Sequence, residues 1–409
     1  MVNLFRRKRS HGRAWRQGFL MVLLAVPMVI FITLIFIWPV ARFLMLSVDN
    51  SDLSNGLART TMALDGWQAG DGVPGEPAFQ ALVADLAQAQ RDGRDGVLAQ
   101  LINQRLVGSR YLVIKTANDA ALGKIAGPSV KDALLAKYPG WSNPALWAVI
   151  AANAAPYTDY YLLASLDLER DGNGAIVRIG EDRAIFLQAL ARTVWISFVV
   201  TLICAVIAIP LAQAIASAPP VLSKVLFAMV LFPLWTSLLI RTVIWIIVLQ
   251  RNGPVNAALT TFGIVSEPLD LVYTRFSLYI AMVQVLLPMM VLSVASVMRR
   301  VPDIYMRAAR SLGAPWITAW RRVQLPLIMP GILSGAAIVF VFALGYYITP
   351  ALVGGPTDQM ISSNIAFFTN QSLNWGMAAA LSVQLLLILL VGGLLLFTAR
   401  ALLGRRSDA

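Results

Sequence analysis

Hydrophobic and polar positions alternate along this chain in long blocks rather than in short periods. Apolar runs occupy about 18–41, 191–216, 224–250, 276–298, 329–352 and 376–401, with polar stretches between them. A helix needs roughly 18 or more apolar residues to cross a bilayer. Each run reaches that length, so the pattern predicts six membrane-spanning helices. Prolines fall in or beside the runs at 210, 233, 288, 330 and 350. Each removes a backbone donor and is expected to kink or end its helix. Gly331, Gly335, Ala336, Ala337 and Gly345 offer small surfaces against which such helices pack closely.

One polar block is far longer than the rest. Residues 47–186 form an insert long enough for a small domain. Within it, Phe79, Leu82, Val83 and Leu86, then Val97, Leu98, Leu101 and Ile102, recur at helical spacing. This predicts helix over 78–106 with a glycine-rich break. Residues 131–138 predict a shorter helix stopped by Pro139-Gly140. Residues 160–168 and 175–179 flank Arg170-Asp171-Gly172-Asn173-Gly174, a turn between two short strands. The expected insert is therefore small and mixed. Asp167, Glu169 and Asp171 suggest a calcium loop, but Arg178 stands where the twelfth-position Glu is needed, so an ordinary hairpin is expected.

Charge orients the spans. The chain carries 33 Lys and Arg against 21 Asp and Glu, a net +12. Sixteen of the acids but only 13 of the basic residues lie in 42–187, so the excess sits elsewhere. It gathers at Arg6, Arg7, Lys8, Arg9, Arg13 and Arg16, at Arg299, Arg300, Arg307, Arg310, Arg321 and Arg322, and at Arg400, Arg405 and Arg406. The loop 353–375 holds no Lys or Arg, and 251–275 holds only Arg251 and Arg275. Cations concentrate on the cytoplasmic side of membrane proteins, which predicts both termini inside and the insert outside. A basic balance so distributed meets lipid headgroups rather than nucleic acid. The first apolar run exceeds a signal-peptide core and lacks a small-x-small cleavage site, so it is expected to stay as a span.

Few chemistries remain open. Cys204 is the single cysteine and His11 the single histidine, and no Asp or Glu falls inside a predicted span. An intramembrane enzyme site or an ion-coupled carrier therefore has no groups to build on. No G-x-x-x-x-G-K-[ST] loop occurs, so the chain cannot itself bind and split ATP through one. Arg241 is the one charge well inside a predicted span. Two roles stay open for it: snorkelling or helix-to-helix bonding, and a gate or substrate contact. Trp235, Thr236, Ser237, Tyr346 and Tyr347 are candidates to line a polar path with it or to pack between helices.

The loop 299–330 carries the most specific pattern. Asp303 is placed to cap a helix reaching Leu312, which Gly313 ends. Pro315 is placed at the first position of a second helix through Trp316, Ala319, Trp320 and Val323, which Leu325-Pro326 stops. Arg307, Ala308, Ala309 and Gly313, with Val323, Leu325 and Pro326 further on, resemble the E-A-A-x3-G-x9-I-x-L-P motif of ABC importer permeases. Val323 replaces Ile, and Arg307 stands where that family usually has Glu. Residues 232–241, 252–256, 286–290, 347–355 and 374–376 resemble the spermidine/putrescine permease subfamily.

That resemblance covers roughly 190–402 and the first span, not the insert. It implies an all-α integral membrane protein, a six-helix ABC importer permease bundle with a large mixed extracytoplasmic insert. Its parts would be a basic arm (1–17), a first span (18–46), the insert (47–186) and a permease core (187–409) with an ATPase-docking loop at 300–328. The chain would bind no cofactor; ATP and magnesium would sit on partner ATPase subunits. Implied partners are two such ATPases, a second homologous permease, a periplasmic solute-binding protein that the insert meets, and membrane lipid. The implied cargo is a polyamine such as spermidine or putrescine. Opine, thiamine, ferric iron and phosphonate are the alternatives within the same class.

Overall fold

The computed structural model describes residues 25–407 apart from 126, 172, 173 and 182. The basic arm with His11, the start of the first expected span and the centre of the turn at 170–174 lie outside the described residues. The chain divides into two compact units, one comprising 1–164, 168–178 and 375–380, the other 165–167, 179–374 and 381–409.

The first unit opens with α1 (Ala25–Met45), an apolar helix with a π turn at Thr33–Ile37. The insert follows as a set of short helices: α2 (Ser51–Gly56), α3 (Ala58–Ala63), α4 (Glu76–Arg91), α5 (Asp95–Arg105), α6 (Arg110–Ala121), α7 (Val130–Lys137), α8 (Pro144–Ala152) and α9 (Tyr160–Ser165). A two-stranded antiparallel hairpin, β1 (Leu168–Arg170) and β2 (Ile176–Arg178), closes it. Helix α4–break–α5 and helix α7 lie where periodicity puts them. Residues 160–165 are helix rather than strand, so the hairpin is shorter than expected. The insert is mixed only through that hairpin; helices dominate.

Its core is aromatic. Phe79, Trp141 and Trp147 are fully buried with Leu82, Leu86, Leu98, Ile102 and Leu134. The polar edges of both indoles are satisfied: Trp141 Nε1 donates to Thr116 Oγ1 (2.9 Å) and Trp147 Nε1 to the Trp141 carbonyl (2.8 Å). A buried indole left without an acceptor would cost stability. Glu76 stitches distant elements together, its carboxylate accepting from Val130 N (2.7 Å), Lys131 N (3.0 Å) and Ser129 Oγ (2.9 Å) at the start of α7. An anion there meets the free N–H groups and positive end of a helix.

The second unit contains α10 (Phe186–Ser217), α11 (Pro220–Leu231), α12 (Leu238–Leu249), α13 (Pro254–Thr261), α14 (Arg275–Met298), α15 (Ile304–Ser311), the helical run α16 (Trp316–Leu344), α17 (Ile348–Val353) and α18 (Ile361–Asn370). Helix α19 (Trp375–Ser407) ends the described chain. Among the described residues six helical runs are long and apolar enough to cross a membrane: α1, α10, α12 with α13, α14, α16 and the 375–394 part of α19. Asp167 caps α10, its carboxylate accepting from Phe186 N (3.0 Å) and Leu187 N (2.8 Å). This engages the first carboxylate of the calcium-like pattern.

The centre of this unit is three helices joined along i, i+4 stripes. Ile196, Val200, Cys204, Ala208 and Ala212 on α10 face Leu278, Met282, Leu286, Met290, Val294 and Met298 on α14, with Ile328, Val339 and Ala343 on α16. Residues four apart share a helix face, and interdigitating such rows is a common way for helices to pack. Gly331 and Gly335 let α16 approach closely. A Cβ at Gly335 would lie 2.6 Å from Met290 Sδ, and one at Gly331 2.9 Å from Val297 Cβ.

One expectation about the spans changes. The apolar run 224–250 is not one helix: a 3-10 turn at Phe232–Trp235 divides α11 from α12. Hydropathy alone could not show this, because Pro233 breaks the helix without adding a polar residue. Pro210, Pro288 and Pro330, by contrast, lie inside helices that continue past them.

Candidate docking surface and transport path

The loop 299–330 folds into the expected bend. Helix α15 ends in a Schellman motif: Gly313 N donates to the Arg310 carbonyl (3.0 Å) and Ala314 N to the Ala309 carbonyl (3.2 Å). Gly313 takes φ +88°, in the left-handed region. A Cβ there would meet nothing within 4 Å, so the demand for glycine is conformational rather than steric. An L-residue in that region is disfavoured by about 1–2 kcal/mol. Pro315 then stands at the N-cap of α16 rather than at its first position.

Leu325-Pro326 does not stop the second helix, as its proline suggests it should. The α-turn Trp316–Ala319 passes through a π turn at Trp320–Gln324 and continues as α-helix to Leu344. Leu325 N reaches back five residues to the Trp320 carbonyl. The widened turn accommodates Pro326, which has no N–H to give and would clash with the turn before it. The second arm of the bend is thus one helical run with a membrane span. Helix α15 packs against the α-turn and the π turn at the start of that run.

Helix α15 has two exposed faces. Ile304 (62% exposed), Ala308 and Leu312 (88% exposed) form one stripe four residues apart. Asp303, Met306, Arg307 and Arg310 turn toward Trp316, Trp320, Gln324 and Gln213, and together they line an open cleft of about 430 Å³. Gln324 closes its floor by donating Nε2 to Gln213 Oε1 (2.7 Å). Of the matched residues, Arg307 and Ala308 are exposed, Ala309 and Val323 are half-buried, and Leu325 packs on the three-helix core.

The candidate path residues separate. Trp235 ends the 3-10 turn and is 87% exposed, Thr236 bonds its own turn (Oγ1 to the Pro233 carbonyl, 2.9 Å), and Ser237 is the N-cap of α12 without a side-chain bond. Tyr347 is exposed. Arg241 and Tyr346 do come together as electrostatic neighbours. Arg241 Nε and Nη1 are buried without a hydrogen-bond partner among the described residues, and the Tyr346 hydroxyl faces the Thr349 side chain. Because the span is broken at 232–235, Arg241 lies in the first turn of α12, where the helix dipole already disfavours a cation. Beside Arg241, Thr242 Oγ1 and Thr349 Oγ1 lie 3.3 Å apart, and Trp245 Nε1 donates to Gln284 Oε1 (3.3 Å). Single threonines in apolar runs gave no sign of this cross-helix pairing.

A second cluster also went unforeseen. The segment 353–361 is fastened to the first turn of α14 and to the second and third turns of α10 by four contacts. Ser277 Oγ donates to the Val353 carbonyl (2.9 Å), Arg275 Nε to Asp358 Oδ1 (2.7 Å), Arg192 Nε to the Gln359 carbonyl (2.9 Å), and Ile361 N to Thr193 Oγ1 (2.8 Å). Gly355 permits the approach, since a Cβ there would lie 2.7 Å from the Tyr273 carbonyl oxygen. The sequence signal was available: Asp358 is the only acid in a loop without Lys or Arg, and Arg192 and Arg275 each open a span.

The family model for the binding-protein-dependent transport system inner membrane component matches residues 205–408. The spermidine/putrescine transport system permease protein PotB of Haemophilus influenzae is 31% identical over 254 residues, covering 60% of this chain and 89% of that protein. PotB of Escherichia coli is 28% identical over 224 residues, 55% of this chain and 82% of that protein. A solved bacterial ABC transporter involved in import of the acidic polysaccharide alginate aligns with TM-score 0.46 and 19% identity, over 54% of this chain and 79% of that one.

Proposed function

The chain belongs to the ABC importer permeases of the binding-protein-dependent type and is a multi-pass inner-membrane transport subunit, not an enzyme; on that premise we propose that it carries a polyamine such as spermidine or putrescine. The names of its relatives, at 31% and 28% identity, support that cargo. The proposed assembly adds two ATPase subunits holding ATP and magnesium, a companion permease, and a periplasmic binding protein received by the insert. Both termini are proposed to be cytoplasmic. An even number of candidate crossings and the arginine-rich loop 299–322 support that orientation.

The observation that carries the mechanism is the continuity of α16. Helix α15, with its apolar stripe around Ala308, docks on the ATPase. The Gly313 bend holds it against a helical run that becomes a membrane span. ATP shifts the permease between states only through contacts that differ between those states, and α15 with the start of α16 supplies such contacts. Span movement then alternates access to the path beside Arg241 and Tyr346. Deleting the gene in a strain without redundant importers, and following radiolabelled spermidine and putrescine, tests the cargo. Uptake is expected to collapse; unchanged uptake of both rejects the polyamine and leaves the permease assignment standing.

A further inference from the structure

We infer that the ATPase partner presents acidic side chains to the cleft between α15 and the start of α16, where Arg307 and Arg310 receive them. The inference rests on the docking reading above and specifies the chemistry of that contact. Arg307 and Arg310 are exposed, three residues apart on one face of α15, and both line the cleft. Among the described residues neither guanidinium has an ion pair or a hydrogen bond. The cleft's one acid, Asp303, is engaged with neither. Arg299 differs: it is held by Ser223 Oγ (3.3 Å) and lies over the Phe227 ring (5.1 Å). The chain thus leaves two convergent cations without a counter-charge of its own.

The site is an open cleft that Met306, Trp316, Trp320, Gln213 and Gln324 line together with the two arginines. A cleft of that size admits a protruding side chain or loop of a docked protein. A guanidinium can grip a carboxylate with two parallel bonds. The neighbouring stripe of Ile304, Ala308 and Leu312 supplies an apolar contact with no charge preference. Position and apolar packing therefore come from one face of α15, and charge selection from the other.

The test is capture of the cognate ATPase by the full-length permease in mild detergent, at low and high salt. The pair Arg307→Glu with Arg310→Glu is expected to lower capture about tenfold or more at low salt and to remove most of its salt sensitivity. Arg321→Glu with Arg322→Glu, outside the cleft, is expected to leave capture within about twofold. Ala308→Trp, on the apolar stripe, is expected to abolish capture at any salt. Elution of each variant as a single monodisperse species controls for misfolding. If the Arg307/Arg310 reversal leaves capture unchanged while Ala308→Trp abolishes it, docking stands and the acidic contact is overturned. If the Arg321/Arg322 reversal is the damaging one, the basic surface answers lipid or another face, and the inference also fails. If no variant changes capture, the docking reading itself falls.

Discussion

The insert and the span bundle differ in where they place their aromatic and their smallest side chains. In the insert the largest residues are innermost: Phe79, Trp141 and Trp147 have no exposed surface. In the bundle the innermost residues include Ala208, Ala212, Cys204, Gly331 and Gly335, while Trp195, Phe198, Leu202 and Phe342 are exposed. The difference follows from the solvent each faces. Water drives large apolar groups inward, because their burial removes the most area. Lipid is as apolar as leucine and provides no such drive, so helices associate through close packing of small residues. One chain thus relies on buried aromatic area in one region and on close approach at small residues between aliphatic stripes in the other.

Removing size should hurt the insert most. Trp147→Ala is expected to destabilise it by about 3–5 kcal/mol, read as a loss of protease protection and a lower denaturation midpoint. A cost near zero would mean the aromatic core is not what holds the insert together. Adding size should hurt the bundle less, but clearly. Gly335→Leu drives a side chain into Met290 and Ser293, and overpacking of this kind costs about 1–3 kcal/mol. The thermal inactivation midpoint in detergent should fall accordingly; an unchanged midpoint would show that α14 and α16 are not in close contact.

The smallest expected effect is electrostatic and again separates the regions. Burial works to raise the Glu76 pKa, but the Lys131 and Val130 N–H groups and the Gln80 and Ser129 side chains outweigh it and hold the carboxyl at about 2. Its ordinary value is 4.5. The folded pKa is depressed, so its stabilising contribution is present above about pH 4.5 and is lost as pH falls through about 2. Protection of the α7 start, followed by hydrogen exchange, should weaken across that window. In Glu76→Gln the exchange should be faster at neutral pH and flat across the window. Identical profiles for the two proteins would remove Glu76 from the acid response.

The same physical split decided what could be read from the sequence. Apolar runs long enough to span a bilayer announce themselves, so six crossings were legible in outline. The break at Phe232–Trp235 left no mark in hydropathy, and only Pro233, among the prolines expected to kink or end a helix, pointed to it. The bend at Gly313 was legible, since only glycine adopts left-handed backbone readily. The continuation through Pro326 was not, because a π turn is a tertiary adjustment with no residue signature. In the insert, α4 and α7 carried clear periodicity or stop signals. Helix α6 buries only Val113, Thr116 and Ala117, two of them small or polar, and its pattern was too faint. For the candidate path, sequence picked out Arg241 and Tyr346, but the Thr242–Thr349 pairing depends on how separate helices meet.

Force transmission through α15 is tested most directly by cross-linking in intact cells. Cys204 is buried and is the chain's only cysteine, so Ala308→Cys in a Cys204→Ser background gives a single reactive thiol on the apolar stripe of α15. A short bifunctional reagent should join that position to the ATPase subunit, and the yield should change when ATP is trapped on the complex. Recovery of the permease without any ATPase attached, in cells where both are present and uptake is active, would contradict the coupling mechanism.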